Sequence, residues 1–428
     1  MYKKIAIVLI VVCLILSGCS NTPYTKDNNS LNQPEVEEPI APPNNQLPEV
    51  DLPNSPDSSL PNVELPTLPP DNQLPNVNIP PIPQSIRGTW VSTVWNIDYP
   101  YSSTTDSIKL STQIDNIVSN AIQHSLNAIF FQVRPCSDAL YPSVIYPWSS
   151  YLTGQLGLAP NDNFDPLEYI IQQCHNNNIA LHAWVNPYRL STNQALSTQH
   201  PISQYPHIIM NVDNKLYLNP AHSDSQDFIL AGVKELCNNY AIDGIHFDDY
   251  FYPEGITSQD DAEYIQYGQE YHNKDDFRRA CVNNLVYKTN NLIKNINPNI
   301  KFGISPSGIW SNQEHNPLGS NTRGFESYYQ IYCDSRTWVL NGWIDYVAPQ
   351  LYWYIGQQWS DYAILLDWWH DVCKDTNVQL YIGIAGYKIG TDTNWNNPQQ
   401  IVNQLQLADD LANGWIIFSY SDLDKLAH

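Results

Sequence analysis

The stretch GIHFDDYFYP, Gly244 to Pro253, opens as a short apolar run and then sets two aspartates side by side where a buried strand should end. A run that is apolar along nearly its whole length, rather than on alternate residues, is the mark of a parallel strand covered on both faces. The pattern recurs on either side of it: GTWVSTVW from Gly88, AIFFQVRP from Ala128, ALHAWVNPY from Ala180, KFGISPSG from Lys301, YVAPQLYW from Tyr346, LYIGIAGY from Leu380 and WIIFSY from Trp415, eight runs in all. Amphipathic segments near 108–125, 165–177, 225–239, 274–296, 325–341, 360–375 and 398–412 separate them. Eight strand-helix units over about 340 residues have the size of a (β/α)8 TIM barrel. A doubly wound open sheet is the alternative. Only SDLDKLAH follows the last run, so the last helix is expected to be short.

The barrel is expected over residues 85–428, because what precedes it is built differently. Residues 1–18 read as a lipoprotein signal peptide: Lys3 and Lys4 precede an apolar run, Ile5 to Leu16, that is too short to span a bilayer. The run ends in Leu16-Ser17-Gly18-Cys19, which looks like the cleavage box of a bacterial lipoprotein, with lipid expected on Cys19. A plain signal with an incidental cysteine is the alternative. Residues 19–84 read as an extended linker, rich in proline, with no glycine from 22 to 84 and with LPEVDLP, LPNVELP and LPNVNIP in succession. At about 3.1 Å per residue, some sixty residues of polyproline II would reach on the order of 190 Å. The same backbone would also suit a ligand for a partner domain. The expected location is outside the cell, lipid-anchored to the membrane and facing the cell wall or periplasm.

A formal net charge of −23 and an isoelectric point near 4.6 argue against nucleic acid or an anionic membrane surface as the main partner. Of the eight cysteines, Cys13 and Cys19 fall in the leader, and the other six are widely spaced with no CxxC. Five of those six sit in the helical segments, where single thiols serve as small packing residues. They are expected to be reduced, with Cys136 the one reactive exception.

Active sites on a barrel lie at the C-terminal strand ends. In chain order the runs bring there Trp90, Trp95 and Asp98; Arg134 and Asp138; Trp184, Asn186, Tyr188 and Arg189; and His246, Asp248, Asp249 and Tyr250. The later runs bring Ser305, Ser307, Trp310 and Glu314; Gln350, Tyr352 and Trp353; Tyr387 and Lys388; and Tyr420. Aromatic faces stack on sugar rings, and amides, arginines and carboxylates bind the hydroxyls, so the mixture suits a polysaccharide. Glycoside hydrolysis needs two carboxyl groups. Strand alternation sends His246 and Asp248 inward, which makes Asp248 the expected catalytic carboxylate. Asp249 then faces the helix layer or, if the strand has ended, turns back into the mouth. The second carboxyl is expected among Asp138, Asp249 and Glu314, with His246 or Arg134 helping to keep its partner ionised. The bland reading of the pair is a helix cap or an arginine partner. No cofactor or metal is required; an ion held by His246, Asp248 and Asp249 would lack a fourth ligand.

The motifs RGTWVSTVWNIDYP, FFQVRPCSDALYPS, PWSSYLTG, HAWVNPYR, LNPAH, DGIHFDDYFYP, FGISPSGIW, WIDYVAPQLYW and GIAGYKIG together resemble the glycosyl-hydrolase-like family ten of bacterial lipoproteins, over Ser85 to Tyr420. The resemblance implies a glycoside hydrolase barrel in the cell envelope. It also implies a substrate built of N-acetylglucosamine and N-acetylmuramic acid, as in peptidoglycan strands stripped of their stem peptides. It carries over Arg134, Asp138, Asn186, Tyr188, Arg189, His246, Asp248, Asp249, Gln350, Tyr352 and Trp353. The chain departs from the family pattern at Cys136-Ser137, where members often carry a glycine before the aspartate, and at Ser311, where a basic residue is common. A carboxylate after the fourth strand is similar to the α-amylase-like clan, where it is the nucleophile; the seventh run lacks the glutamate that family-ten xylanases carry. A non-catalytic glycan-binding lipoprotein, or a wall tether relying on the spacer, would use much of the same composition.

Overall fold

The structure, a computed structural model, describes residues 85–192 and 196–427. The signal peptide, the lipidation site at Cys19 and the proline-rich linker fall outside the described residues.

Eight parallel strands close on themselves: β1 Ile86–Val91, β2 Ala128–Arg134, β3 Ala180–Val185, β4 Gly244–Phe247, β5 Lys301–Ile304, β6 Tyr346–Val347, β7 in two pieces Gln379–Leu380 and Ile382–Ala385, and β8 Gly414–Phe418. The first piece of β7 pairs with β6 and the second with β8, while β8 pairs with β1, so the ring is complete across the break at Tyr381. Tyr381 N–H still donates to Val347 O at 2.9 Å, which keeps the broken strand on its neighbour. This is the (β/α)8 barrel expected from the alternating pattern.

Helices α1 Ser107–Gln123, α2 Pro166–Asn176, α3 Ser223–Asn239, α4 Lys274–Ile296, α5 Ser335–Leu340, α6 Tyr362–Cys373 and α7 Pro398–Leu411 form the outer layer, and the 3-10 segment Tyr420–Ala427 takes the place of an eighth. Their starts are written in the sequence. Asp106 and Asp165 each accept two backbone N–H groups of the first turn, and proline opens α2 and α7. The segment expected near 325–341 is instead two short helices, Ser327–Gln330 and α5, because Tyr332 at φ 56° lies in the left-handed region and stops the first.

The barrel interior is filled by rings. Trp90, Phe130, Trp184, Tyr346 and Tyr381 pack inside with Ala128, Ala180 and Ala348. Glycines on neighbouring strands make the room: a Cβ on Gly88 would meet the Phe130 ring at 2.9 Å, and one on Gly244 or Gly303 would lie inside contact distance of the His182 or Tyr346 ring. The larger core lies between barrel and helices. Among the described residues no helix is long and apolar enough to cross a membrane. All six described cysteines are buried and unbridged. Cys136 does not match the reactive role expected of it, since burial and then the Asp138 charge push its thiol up to about 12.

One excursion matters for the site. Between β3 and α3 the chain makes a three-stranded antiparallel sheet in which Lys215–Leu218 pairs with both Arg189–Ser191 and Ile209–Val212.

Candidate active site

Two aspartates follow the buried strand β4 and take different partners for a geometric reason. β4 ends at Phe247, so alternation no longer governs the next residues, and the two carboxyls part toward opposite neighbours. Asp248, 3% exposed, leans toward β3: Trp184 Nε1 donates to its Oδ2 at 3.0 Å and Asn186 Nδ2 donates to the same oxygen at 3.1 Å. Among the described residues its Oδ1 meets only the Tyr250 N–H, at the long distance of 3.5 Å. Asp249 turns toward β5 and β6, where Ser307 Oγ donates to it at 3.3 Å and the Gln350 side chain also reaches it.

Burial, reinforced by the Asp249 charge, pushes the Asp248 carboxyl up to about 7 against the pull of Arg189 and the Trp184 hydrogen bond. Burial raises Asp249 as well, opposed by hydrogen bonds from its own N–H, Gln350 and Ser307. Burial thus pushes both carboxyls toward the protonated form. Arg189 lies over the Tyr250 ring at 4.7 Å with its Nε donating to Pro135 O at 2.9 Å, and its backbone N–H donates to Asn186 Oδ1 at 2.9 Å. Asp138 is buried nearby, accepting the Cys136 N–H at 3.0 Å; burial raises it while Ser149, Arg134 and Arg189 oppose.

Around these groups stands an aromatic wall. Tyr352 and Tyr387 lie 5.8 Å apart edge to face, and each sits 6.1 Å from Phe418. Trp353 is half-buried over Gly308, while Trp95 and Tyr250 are exposed at 39% and 42%. Gln350 Nε2 donates to Ser305 O at 2.9 Å, tying β6 to β5 at the rim.

Other expected residues lie elsewhere. His246 and Trp90 sit below the mouth in the barrel interior: Trp90 Nε1 donates to His246 Nε2 at 3.1 Å, and Ser305 Oγ lies 2.9 Å from that nitrogen. Burial drives His246 far below its ordinary value, so it is neutral, and because Nε2 accepts, Nδ1 carries the proton and donates to Tyr346 Oη at 3.0 Å. Tyr346 in turn donates to His182 Nδ1 at 2.9 Å. A neutral, fully engaged imidazole does not act as the cation expected to steady a carboxylate, nor as a ligand. Arg134 faces the helix layer because the β2 to β3 register shifts between Gln132 and Arg134. It is fully buried, 3.7 Å over the Tyr146 ring. Tyr188 is buried against Phe251, and Trp310 is turned outward onto Trp368, with Nε1 donating to Asp334 at 3.1 Å. Glu314 is exposed on the surface, 3.6 Å from Arg323. The buried glutamate of that loop is Glu326, which accepts from Asn312 N at 2.7 Å and meets His315 Nδ1 at 2.7 Å.

Gln132 and Phe418 were missed. Gln132 Oε1 accepts the N–H groups of Thr93 and Val94 at 2.9 and 3.0 Å and so shapes the loop that carries Trp95. Its position was readable, since Ala128, Phe130 and Gln132 share the inward face. Asp98, read only as a rim residue, ties the first loop to the last, accepting Ser92 N–H at 2.8 Å and the Ser419 hydroxyl at 2.8 Å.

The sequence model of the family Glycosyl hydrolase-like 10 matches residues 85–401. The chain is 40% identical over 355 residues to "Glycosyl hydrolase YngK" of Bacillus subtilis (strain 168), covering 80% of this chain and 69% of that one. It is 37% identical over 373 residues to "Glycosyl hydrolase DigH" of Escherichia coli (strain K12), covering 80% and 84%. Among solved structures, the PgaB (BpsB) glycoside hydrolase domain from Bordetella bronchiseptica matches with a TM-score of 0.52 at 9% identity over 80% of this chain and 97% of that one. Alpha-L-fucosidase isoenzyme 2 from Paenibacillus thiaminolyticus matches with a TM-score of 0.51 at 13% identity, over 80% and 48%. At these identities the structures show the shared fold alone.

Proposed function

Since the chain belongs to the Glycosyl hydrolase-like 10 family, we propose that it is a glycoside hydrolase of the cell envelope that cuts peptidoglycan glycan strands freed of stem peptides, using Asp248 and Asp249 as its carboxyl pair. The observation that carries this reading is the pair itself: two carboxyls on successive residues at one strand end, held by different neighbours and both raised by burial. Acid-base hydrolysis needs two such groups, one to protonate the leaving oxygen and one left ionised.

Asp248, which releases its proton only near pH 7, suits the acid's part, with Oδ2 fixed by Trp184 and Asn186 and Oδ1 turned to the glycosidic oxygen. Asp249, steadied by Ser307 and Gln350, then meets the anomeric carbon or the attacking water. This differs from the nucleophile's part that likeness to the α-amylase-like clan implied for Asp248. Arg189 lowers the cost of charge on the pair, and Asp138 is the third carboxyl within its influence. The aromatic wall stacks the sugar faces. Anchorage through Cys19 and the linker would carry the barrel into the wall; incorporation of labelled fatty acid, abolished by Cys19→Ala, tests that part.

The deciding experiment is mass spectrometry of products after incubating the protein with peptide-free peptidoglycan glycans, beside Asp248→Asn. Shorter saccharides from the wild type and none from the variant are expected. Binding without cleavage by both would overturn the proposed substrate and favour a glycan-binding role.

A further inference from the structure

His207, His222 and Asp224 meet outside the carboxyl cleft, where the excursion between β3 and α3 returns to the helix layer. His207 lies in the 3-10 turn Pro206–Ile208, just before the strand Ile209–Val212; His222 caps α3, and Asp224 sits in its first turn. Asp224 is 4% exposed, and its Oδ2 is 3.3 Å from His207 Nε2 and 4.0 Å from His222 Nδ1. The two imidazoles stand 5.0 Å apart, and one ligand atom from each of the three residues lies within 4.8 Å of the others.

We propose that this trio is a binding site for a divalent transition-metal cation of borderline softness, Zn2+ first among them. Two imidazoles and a carboxylate are the donor set such cations select, whereas Mg2+ and Ca2+ take oxygens. Tetrahedral bonds of about 2.0–2.1 Å place ligand atoms roughly 3.3 Å apart. The His207–Asp224 gap already has that width, the His207 side chain, 44% exposed, has room to turn toward His222, and the 4.0 Å gap between His222 and Asp224 needs a shift of about 0.7 Å to match. His222 Nδ1 accepts the Asp224 N–H at 3.2 Å, so it presents a lone pair, and a metal competes only with that long bond. Water would complete the coordination.

The site would have a structural effect. The strand after His207 pairs with Lys215–Leu218, which pairs with the strand that starts at Arg189. A metal joining His207 to the start of α3 would therefore clamp the small sheet that holds Arg189 beside the carboxyl pair.

The test is calorimetric titration of the metal-stripped full-length chain with Zn2+, with melting curves in parallel. One equivalent should bind and raise Tm, Mg2+ should do neither, and His207→Ala with Asp224→Asn should lose at least about tenfold in Zn2+ affinity together with the Tm rise. Melting in the presence of chelator checks that the double variant is folded. Equal Zn2+ binding by wild type and double variant, or no saturable Zn2+ binding by the wild type, would overturn the site and leave an ion pair beside a helix cap. Neither result bears on glycan cleavage, which the Asp248→Asn comparison reads separately.

Discussion

His246 and Asp248 stand two residues apart at the end of β4, both shut off from water, and they meet burial differently. Burial drives each toward its neutral form, the imidazole far down and the carboxyl up to about 7. The difference is in what remains unused. Both His246 nitrogens are engaged, by Trp90 and Ser305 on one side and Tyr346 on the other. Among the described residues, Asp248 has one oxygen held by two donors and the other by no more than a long contact from the Tyr250 N–H. A buried titratable group whose partners are complete is part of the packing. One whose partners are half complete is available for chemistry.

The sharpest way to break that contrast is Asp248→Asn, which should lower kcat/KM by about 10²–10⁴-fold while leaving the melting temperature nearly unchanged. A variant that keeps its activity, or one that unfolds, would put Asp248 on the same side as His246. Gly303→Ala pushes a methyl into the Tyr346 ring and should cost about 3 kcal/mol of stability by denaturant titration, since the ring is fenced in by its neighbours. His246→Leu strands the Trp90 N–H and disconnects Tyr346; a loss of about 2–3 kcal/mol is expected, with kcat per folded molecule within about threefold of wild type. A large fall in kcat at intact stability would move His246 into the catalytic machinery.

The pH dependence sharpens the comparison because the two groups act in opposite directions. The acid's part proposed for Asp248 requires it protonated, and on that proposal activity should fall as pH rises through about 7. Its folded value is raised, so the stability it contributes is full below the ordinary carboxylate range and is lost as pH climbs toward 7. The interior histidines run the other way: His182 is lowered to about 4, so the stability tied to its neutral form is present above pH 6.5 and is lost as pH falls toward 4. A pH-activity profile flat from 6 to 8 would remove the acid's part from Asp248. The smallest effect is expected from Trp95→Ala, which trims an exposed ring and should raise KM about three- to tenfold with kcat unchanged.

The barrel was legible because its signal is repeated. Seven helical segments and eight apolar runs lie where periodicity put them, apart from the helix broken at Tyr332, since burial on both faces leaves little freedom in composition. The small sheet between β3 and α3 was not legible, its strands being three or four residues long inside a loop. The site was legible only in part, because alternation holds along a regular strand and fails at the first irregularity. The shift between Gln132 and Arg134 sent an arginine expected at the mouth into the helix layer. The early end of β4 separated Asp248 from Asp249 in a way no pattern of two residues encodes. Trp310 and Tyr188 show that an aromatic near a strand end carries no direction of its own.

The ring closes where β1 meets β8, with Ile86 opposite Gly414 and Thr89 Oγ1 donating to Ile417 O at 3.2 Å. That seam joins the first barrel strand to the last, so it is the strand pairing with the greatest loop-closure cost and the last of the barrel's that a chain made from its N-terminus can form. Until the final strand arrives, β1 has an unpaired edge of the kind that recruits other strands. Chains truncated before Gly414 should therefore aggregate rather than fold into a seven-stranded barrel, and sedimentation of such truncations would show whether the seam governs assembly.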